Sequence, residues 1–269
     1  KPVVPVVTLS GPIGVATPLR PGVTLSAVAG ALERAFRNRR AVAVAIRINS
    51  PGGSPVQSRL IYSRIRTLAE RHGKAVHTYI EDVGASGGYL VALAGDEIIA
   101  DTSSIVGSIG VVSAGFGFDK LLERAGIERR VFSSGNRKAM LDPFRPTDEG
   151  DVERLRAIQN DVQQMFVDLV QERRAGKLTA PEDLLFSGEF WSGSRARQLG
   201  LVDSLGDLQS ILQAQYGEDV RLVPIRTTRG LTLRRLSPFR SGEAAIEASF
   251  AEDLIAALET RAMWSRFGI

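Results

Sequence analysis

The chain has 269 residues, of which 43% are hydrophobic and 24% are charged, with no cysteine and a formal net charge of +4. This is the composition of a globular protein, and the lack of cysteine excludes disulfides and thiolate metal sites while leaving the compartment open. The basic excess is too small to predict nucleic-acid binding, and no run approaches the roughly 18 consecutive apolar residues of a membrane span. The sequence begins at Lys1 without a signal-peptide pattern, which leaves a processed form or a missing N-terminal anchor open.

Strand and helix patterns alternate along the first third of the chain. Apolar β-branched runs predict strands, apolar residues at helical spacing predict helices, and their alternation predicts parallel strands joined by right-handed crossovers. In such sheets ligand sites form at the carboxyl ends of the strands, and glycine-rich turns follow the second and third strands here. The predicted strands are 3–9, 41–48 and 74–80, and the predicted helices are 24–38, a segment closed by His72 and Gly73, and a short segment after Ser86.

The elements predicted for the second half of the chain are shorter, apart from one long helix. They are interrupted by an aromatic-rich connection over 186–191. The predicted strands are 97–100, 105–112, 129–132 and 220–225, and the predicted helices are 118–125, a long helix capped by Thr147, 194–199 and 205–216.

The last part of the chain differs in composition from the rest. Residues 226–240 hold five arginines and no acidic residue, and residues 243–267 return to helical spacing with an apolar stripe. Packing of this stripe on the chain itself or on a neighbouring protomer is favoured over contact with a membrane surface, because apolar side chains need a cover. We therefore expect three regions, which are an α/β domain over 1–225, a basic linker over 226–241 and an amphipathic helical tail over 242–269.

A serine lies where the third predicted strand turns into a helix. Ser86 is followed by two glycines and preceded by Gly84, and glycine permits the backbone dihedral angles of a sharp turn. Such a turn exposes the hydroxyl beside the free N–H groups of the helix, which suits a nucleophile and its oxyanion. The alternative is a helix N-cap serine, and these residues alone favour that alternative.

A serine nucleophile needs a base, and the chain offers few candidates. His72 closes an exposed helix and His77 lies inside a strand, so we expect both to be structural and a Ser-His-Asp triad to be improbable. A lysine can replace histidine if apolar surroundings lower the pKa of its amine. Lys138 is the best placed, because it lies in a glycine- and serine-containing loop that continues into an apolar segment, but most lysines are solvated.

Several short motifs occur together in a fixed order. They are Asn-Ser-Pro-Gly-Gly at 49–53, Gly-Ala-Ser-Gly-Gly-Tyr at 84–89, Gly-Ser-Ile-Gly-Val at 107–111, Ser-Gly-x-x-Lys at 134–138, Phe-Ser-Gly-Glu at 186–189 and Gly-Leu-Val-Asp at 200–203. This order resembles the signal peptide peptidase A family, which are serine peptidases with a Ser-Lys dyad on the fold shared by Clp protease and crotonase. The resemblance covers roughly residues 3–215, and it implies a Clp/crotonase-like parallel-sheet domain with flanking helices.

The resemblance also implies roles for individual residues. Ser86 matches the nucleophile and Lys138 the general base, with no cofactor and no metal. Gly53 and Gly87 match the backbone donors of the oxyanion hole, with Gly52 as an alternative to Gly53. Ser108 lies in the block where Clp relatives carry their histidine, and we expect it to hydrogen-bond the Lys138 amine.

The same resemblance implies partners and a reaction. The expected reaction is endopeptidase cleavage of signal-peptide-like, membrane-derived or unfolded peptides through an acyl-enzyme. The expected assembly is a homo-oligomeric ring in which the serine of one protomer meets the lysine of its neighbour. We expect no nucleic acid, and a membrane-associated or cytoplasmic location, with the C-terminal tail as one possible contact with a membrane. Val83, Tyr89 and Leu141 are the residues expected to line an apolar substrate cleft.

Two other functions stay open from the sequence. A crotonase-type acyl-CoA enzyme would use the same kind of oxyanion hole, but it needs glutamates that the two glycine-rich turns do not carry. A non-catalytic ring scaffold would need neither the serine nor the lysine, and both are present. A metal site is not expected, because the chain has no cysteine and no clustered histidines.

Overall fold

The structure is a computed structural model that describes residues 1–14, 22–135, 137–227 and 261–268. It divides into two compact units, of which the first comprises 1–109 with 167–269 and the second comprises 110–166. Most of the predicted linker and tail lies outside the described residues. No helix among the described residues is long and apolar enough to cross a bilayer.

The first unit is built on an eight-stranded sheet. Its strands run in the spatial order β6-β5-β3-β2-β1-β8, with β4 paired to β3 and β7 paired to β4, and every pair is parallel except β5 with β6. The predicted α/β class with a parallel sheet is therefore confirmed. The strands are β1 Val3–Ser10, β2 Ala43–Ser50, β3 Ala75–Ala85, β4 Glu97–Ala100, β5 Ile105–Gly107, β6 Phe190–Ser192, β7 Ser204–Leu205 and β8 Arg221–Ile225.

Helices flank this sheet and connect its strands. The long amphipathic helices bury one apolar stripe each, as their spacing predicts. Helix α2 shows how local sequence sets its ends, because Ser54 caps its first turn and Gly73 closes it in the left-handed conformation. The helices are α1 Leu25–Arg37, α2 Pro55–His72, α3 Gly87–Ala92, α4 Asp119–Arg124, α5 Glu149–Arg173, α6 Glu182–Leu185, α7 Gly193–Gln198 and α8 Leu208–Tyr216.

Both histidines lie where a structural role was expected. His72 is in the last turn of α2. The buried His77 bonds Glu97 Oε2 at 3.0 Å through Nδ1 and the hydroxyl of Tyr216 at 2.8 Å through Nε2. Although its burial opposes ionisation, hydrogen bonds from Ser204, Gln215 and His77 hold the pKa of the Glu97 carboxyl below its usual value. His77 thus joins the amino ends of β3 and β4 to the end of α8.

The second unit contains helix α4, the first part of α5 and the loops between them. Three sequence predictions fail in or next to it. Residues 129–132 form no strand, the strand predicted over 105–112 ends at Gly107, and the N-cap of α5 is Asp148 rather than Thr147. The Asp148 carboxylate accepts the N–H of Asp151 at 3.0 Å, which is the bond that a capping side chain makes.

Candidate active site

The serine turn at the end of β3 has an unusual backbone. Ser86 lies between β3 and α3 with φ 50° and ψ −121°, a conformation that side chains rarely adopt. Its N–H donates to the carbonyl of Gly107 at 2.7 Å, and its own carbonyl accepts the N–H of Leu90 at 3.0 Å. The neighbouring strand and the new helix therefore hold this conformation from both sides.

The side chain of Ser86 does not act as a helix cap. The hydroxyl makes no capping bond to α3, it is half-buried, and within the described part of the chain it has no hydrogen-bond partner. The N-cap alternative would require an accepted N–H from the first turn of the helix. A strained serine with an uncommitted hydroxyl at a helix start is instead the geometry of a strand-to-helix nucleophile turn.

The two glycine-rich turns touch each other. A Cβ on Gly52 would lie 2.8 Å from the backbone nitrogen of Gly87 and 2.8 Å from the Cβ of Ser86. A Cβ on Gly87 would lie 3.4 Å from the nitrogen of Gly53 and would overlap the hydroxyl of Ser58. The backbones can approach this closely because neither residue has a side chain.

Two backbone N–H groups at this contact are available to a ligand. The N–H of Gly52 donates to the Ser50 hydroxyl at 3.2 Å, so it is already engaged. For the N–H groups of Gly53 and Gly87, the described residues provide no acceptor. Two free donors beside an unbonded hydroxyl can stabilise the oxyanion that forms on a carbonyl oxygen when the hydroxyl attacks its carbon.

Ser108 follows the carboxyl end of β5, as Ser86 follows the carboxyl end of the neighbouring strand β3. Ala85 pairs with Gly107 in the β3–β5 ladder, so the two serines follow neighbouring strands. Ser108 has φ 53°, is buried, and donates its N–H to the carbonyl of Glu189 at 2.6 Å. The structure therefore places Ser108 beside the serine turn.

The predicted apolar cleft is partly wrong. Tyr89 is fully buried and its hydroxyl donates to the carbonyl of Leu201 at 2.7 Å. This bond joins α3 to the segment after α7. Burial raises the pKa of that hydroxyl. Val83 is also fully buried, packed in a cluster with Phe267, and Leu141 belongs to the second unit. Neither Val83 nor Tyr89 lines an open cleft, because their neighbours in the first unit cover both.

Two arginines hold the carboxyl end of α3. Arg173 donates through Nε to the carbonyl of Leu93 and through Nη2 to that of Gly95, both at 2.9 Å, and Arg66 donates to the carbonyl of Ala94 at 3.1 Å. Guanidinium groups satisfy the terminal carbonyls of a helix and complement its negative end. Sequence reasoning missed this contact, because the arginines are about 80 and 30 positions away from the carbonyls they bind.

Lys138 lies in the second unit, in the loop that precedes α5. It is exposed, and its N–H donates to the carbonyl of Gly135 at 3.2 Å within a turn. Among the described residues of both units, no three acidic or histidine side chains form a group that could hold a metal ion. Within the first unit, the structure thus brings together Ser86, Gly52, Gly53, Gly87 and Ser108. Lys138 belongs to the second unit.

Comparison with known proteins identifies relatives of this chain. The model of Peptidase family S49 matches residues 69–219, which is more than half of the chain. The Na(+)/H(+) antiporter NhaA of Brucella abortus (strain 2308) is 53% identical over 272 residues, covering 99% of this chain and 37% of that protein. Serine protease SPPA, chloroplastic, of Arabidopsis thaliana is 35% identical over 167 residues, covering 62% of this chain and 24% of that protein. Protease 4 of Haemophilus influenzae is 31% identical over 185 residues, covering 66% of this chain and 29% of that protein.

Proposed function

The chain belongs to peptidase family S49, and we propose that it is a serine endopeptidase with Ser86 as nucleophile and Lys138 as general base. The observation that carries this proposal is the serine turn, where an uncommitted hydroxyl lies beside the free N–H groups of Gly53 and Gly87. If the hydroxyl and these N–H groups all had hydrogen-bond partners, they would indicate a structural serine, because native proteins pair nearly all buried polar groups.

In the proposed reaction, the neutral Lys138 amine takes the hydroxyl proton as Ser86 Oγ attacks the carbonyl carbon of a peptide bond. The carbonyl oxygen becomes an oxyanion, which accepts hydrogen bonds from the N–H groups of Gly53 and Gly87. The C–N bond then breaks, the amine product leaves with the proton from Lys138, and an acyl group stays on Ser86. Water attacks this ester through the same proton transfers and releases the acid product. Ser108 is proposed to hydrogen-bond the Lys138 amine.

The base requires surroundings that a solvated lysine lacks. A lysine amine is a base near neutral pH only when desolvation favours its uncharged form, and Lys138 is exposed in a single chain. The second unit also exposes large apolar side chains such as Phe116 and Phe132. We therefore propose that the chain assembles into a ring in which a neighbouring protomer covers the Lys138 loop and brings its own Ser86 to it.

The proposed substrates are peptides with apolar segments, such as signal-peptide-like, membrane-derived or unfolded chains. The exposed apolar side chains of the second unit support this, because such side chains bind extended apolar peptides. The chain spans little more than a third of the Brucella relative, whose name is that of an ion antiporter. Together with the basic and apolar tail in the sequence, this name supports a membrane-associated location.

A serine-reactive fluorophosphonate tests the nucleophile and its base. We expect mass spectrometry to map the label to Ser86 in the wild type, and we expect no label in Ser86→Ala or Lys138→Ala. Cleavage of a peptide substrate should disappear in both variants. Wild-type labelling of Lys138→Ala would eliminate the dyad, and an unlabelled oligomeric wild type would favour the crotonase-type or scaffold function.

Mixing two inactive variants tests the shared site. A mixed ring of Ser86→Ala and Lys138→Ala subunits contains some interfaces where an intact serine faces an intact lysine. We expect such a mixture to regain part of the wild-type activity. If the mixture stays inactive while each variant assembles normally, the two residues act within one chain and the ring proposal for catalysis is wrong.

A further inference from the structure

Backbone strain marks one more residue near the proposed base. Among the described residues, only three residues other than glycine have a positive φ, and these are Ser86, Ser108 and Leu141. The first two belong to the serine turn described above. Leu141, with φ 58°, lies three positions after Lys138 in the same loop. Strained backbone persists only where the surroundings impose it, so the contacts of Leu141 show what fixes this loop.

A carboxylate holds the strained residue. The N–H of Leu141 donates to Asp151 Oδ2 at 3.2 Å. Asp151 is in the first turn of α5, and its other oxygen pairs with Arg154 at 3.2 Å. The N–H of Asp151 is in turn bound by the capping carboxylate of Asp148 at 3.0 Å. The acceptor for Leu141 is therefore fixed to a helix rather than to another part of the loop.

The next residue along the loop is also anchored. The side chain of Asp142 is only 3% exposed and accepts the Nε of Arg129 at 2.9 Å and the N–H of Phe144 at 3.1 Å. These hydrogen bonds hold the pKa of the Asp142 carboxyl below its usual value. The guanidinium of Arg129 lies 4.8 Å from the ring centroid of Phe144. The loop is thus tied at two consecutive residues just after Lys138.

At Leu141 an unfavourable backbone conformation is opposed by a favourable hydrogen bond. Left-handed backbone is unfavourable for a residue that carries a side chain. A hydrogen bond to a charged carboxylate is stronger than one to a neutral acceptor, and it can offset that cost. Without the carboxylate, Leu141 would gain by returning to a negative φ, and that rotation would redirect the backbone that leads from Lys138.

We propose that Asp151 is a positioning residue for the proposed catalytic base, because its carboxylate clamps Leu141 in the left-handed conformation and so fixes the loop that carries Lys138. The inference rests on the proposed role of Lys138. It assigns to Asp151 no contact with substrate. It also gives a reason for the strain at Leu141, which the proposed reaction alone does not explain.

Four variants of the full chain test the clamp, with kcat and KM measured on a peptide substrate. For Asp151→Ala we expect kcat to fall about tenfold with KM within about twofold, as loss of the clamp releases strain of that size. Asp151→Asn keeps an oxygen that can accept the Leu141 N–H, so we expect kcat within about threefold of wild type. In Asp151→Ala with Leu141→Gly, glycine accepts positive φ without a clamp, and we expect kcat to recover about threefold. Asp161→Ala removes an exposed carboxylate from the same helix and should match the wild type.

The outcomes separate this inference from the proposed function. An unchanged kcat in Asp151→Ala, or a loss that glycine at position 141 does not relieve, would overturn the clamp. If Asp151→Ala melts far below the wild type, its kcat is not a fair test, and the kcat of Asp151→Asn is compared with those of the wild type and of the glycine variant instead. A tenfold lower kcat in Asp151→Asn would then overturn the clamp. Wild-type activity in Lys138→Ala would contradict the proposed function itself, whatever the Asp151 variants show.

Discussion

The two units differ in how far their apolar side chains are buried. Among the described residues, almost all of the buried apolar side chains lie in the first unit. The second unit contributes only Phe166 to that set, but it holds ten of the fifteen large apolar side chains that are exposed in the described part of the chain. The proposed nucleophile is therefore held by residues packed within a single chain. The proposed base lies in the unit with exposed apolar side chains, which are typical of a surface that binds another molecule.

The same substitution in each unit gives the sharpest test of this contrast. Phe36 of α1 is fully buried, so Phe36→Ala should lower the free energy of unfolding by about 3–5 kcal/mol. Phe132 is 94% exposed, so Phe132→Ala should change that free energy by less than about 0.5 kcal/mol. Denaturant unfolding measures both changes. Sedimentation should show that only Phe132→Ala weakens self-association, and equal destabilisation by the two variants would contradict the contrast.

A change at the contact between the glycine turns should remove activity without removing the fold. The Cβ of Gly87→Ala would overlap the Ser58 hydroxyl and displace the N–H proposed for the oxyanion hole. We expect kcat to fall at least about 100-fold, the usual loss for one oxyanion donor. Gly73→Ala is the control, because a Cβ at Gly73 would have nothing within 4 Å, although Gly73, unlike Gly87, has a positive φ. That variant should lose a little stability and keep its kcat.

The arginine at the far end of α3 should have an intermediate effect. Arg173→Met keeps much of the aliphatic length but removes the donors to Leu93 and Gly95, which should cost about 1.5–3 kcal/mol of stability. We also expect a lower kcat, because α3 begins at the serine turn. Arg156→Met changes an exposed arginine of the same helix and should have no such effect. A stable Arg173→Met with full kcat would show that this end of α3 does not hold the serine turn.

The smallest expected effect is a dependence of stability on pH in the first unit. Burial opposes ionisation of Asp203, but hydrogen bonds from Arg174, Lys177 and the Ile98 N–H hold the pKa of its carboxyl below the usual value. Because the folded pKa is the lower one, the stabilisation is complete above the unfolded pKa of about 3.9 and is lost as pH falls through the folded pKa. The difference in unfolding free energy between wild type and Asp203→Asn should therefore shrink below about pH 4.

An exposed aspartate serves as the control for that measurement. Asp161→Asn should change the free energy of unfolding by less than about 0.5 kcal/mol, because Asp161 is exposed and the described residues give its carboxylate no partner. A constant difference between wild type and Asp203→Asn down to pH 2 would show that the Asp203 hydrogen bonds do not depend on its charge.

The sequence predicted the sheet and the position of the serine turn because those signals are local. Strand β2 begins as an unbroken apolar run over 43–46, and the glycines around Ser86 permit the turn that the structure shows. Which of Gly52 and Gly53 keeps a free N–H was not predictable, since it depends on the hydroxyl of Ser50. The arginine contacts to α3 were missed because they join distant segments.

The failed predictions share a physical cause. Residues 129–132 were predicted as a strand, but Arg129 bonds Asp142 and stacks on Phe144. Among the described residues no strand pairs with this segment. Tyr89 has helical spacing that fits either a core or a cleft, and only the packing of its hydroxyl on Leu201 decides between them. A pattern gives the period of an element, but not which neighbour covers it.

The outer strands of the sheet limit how the protein can associate. In the described part of the chain, the sheet ends at β6 with three residues, at β7 with two, and at β8, where Pro224 lacks an N–H. Such short or proline-containing margins offer few backbone groups to an incoming strand. Copies of this protein should therefore meet through side-chain surfaces, and a chain at high concentration is protected from extending its sheet into a fibre.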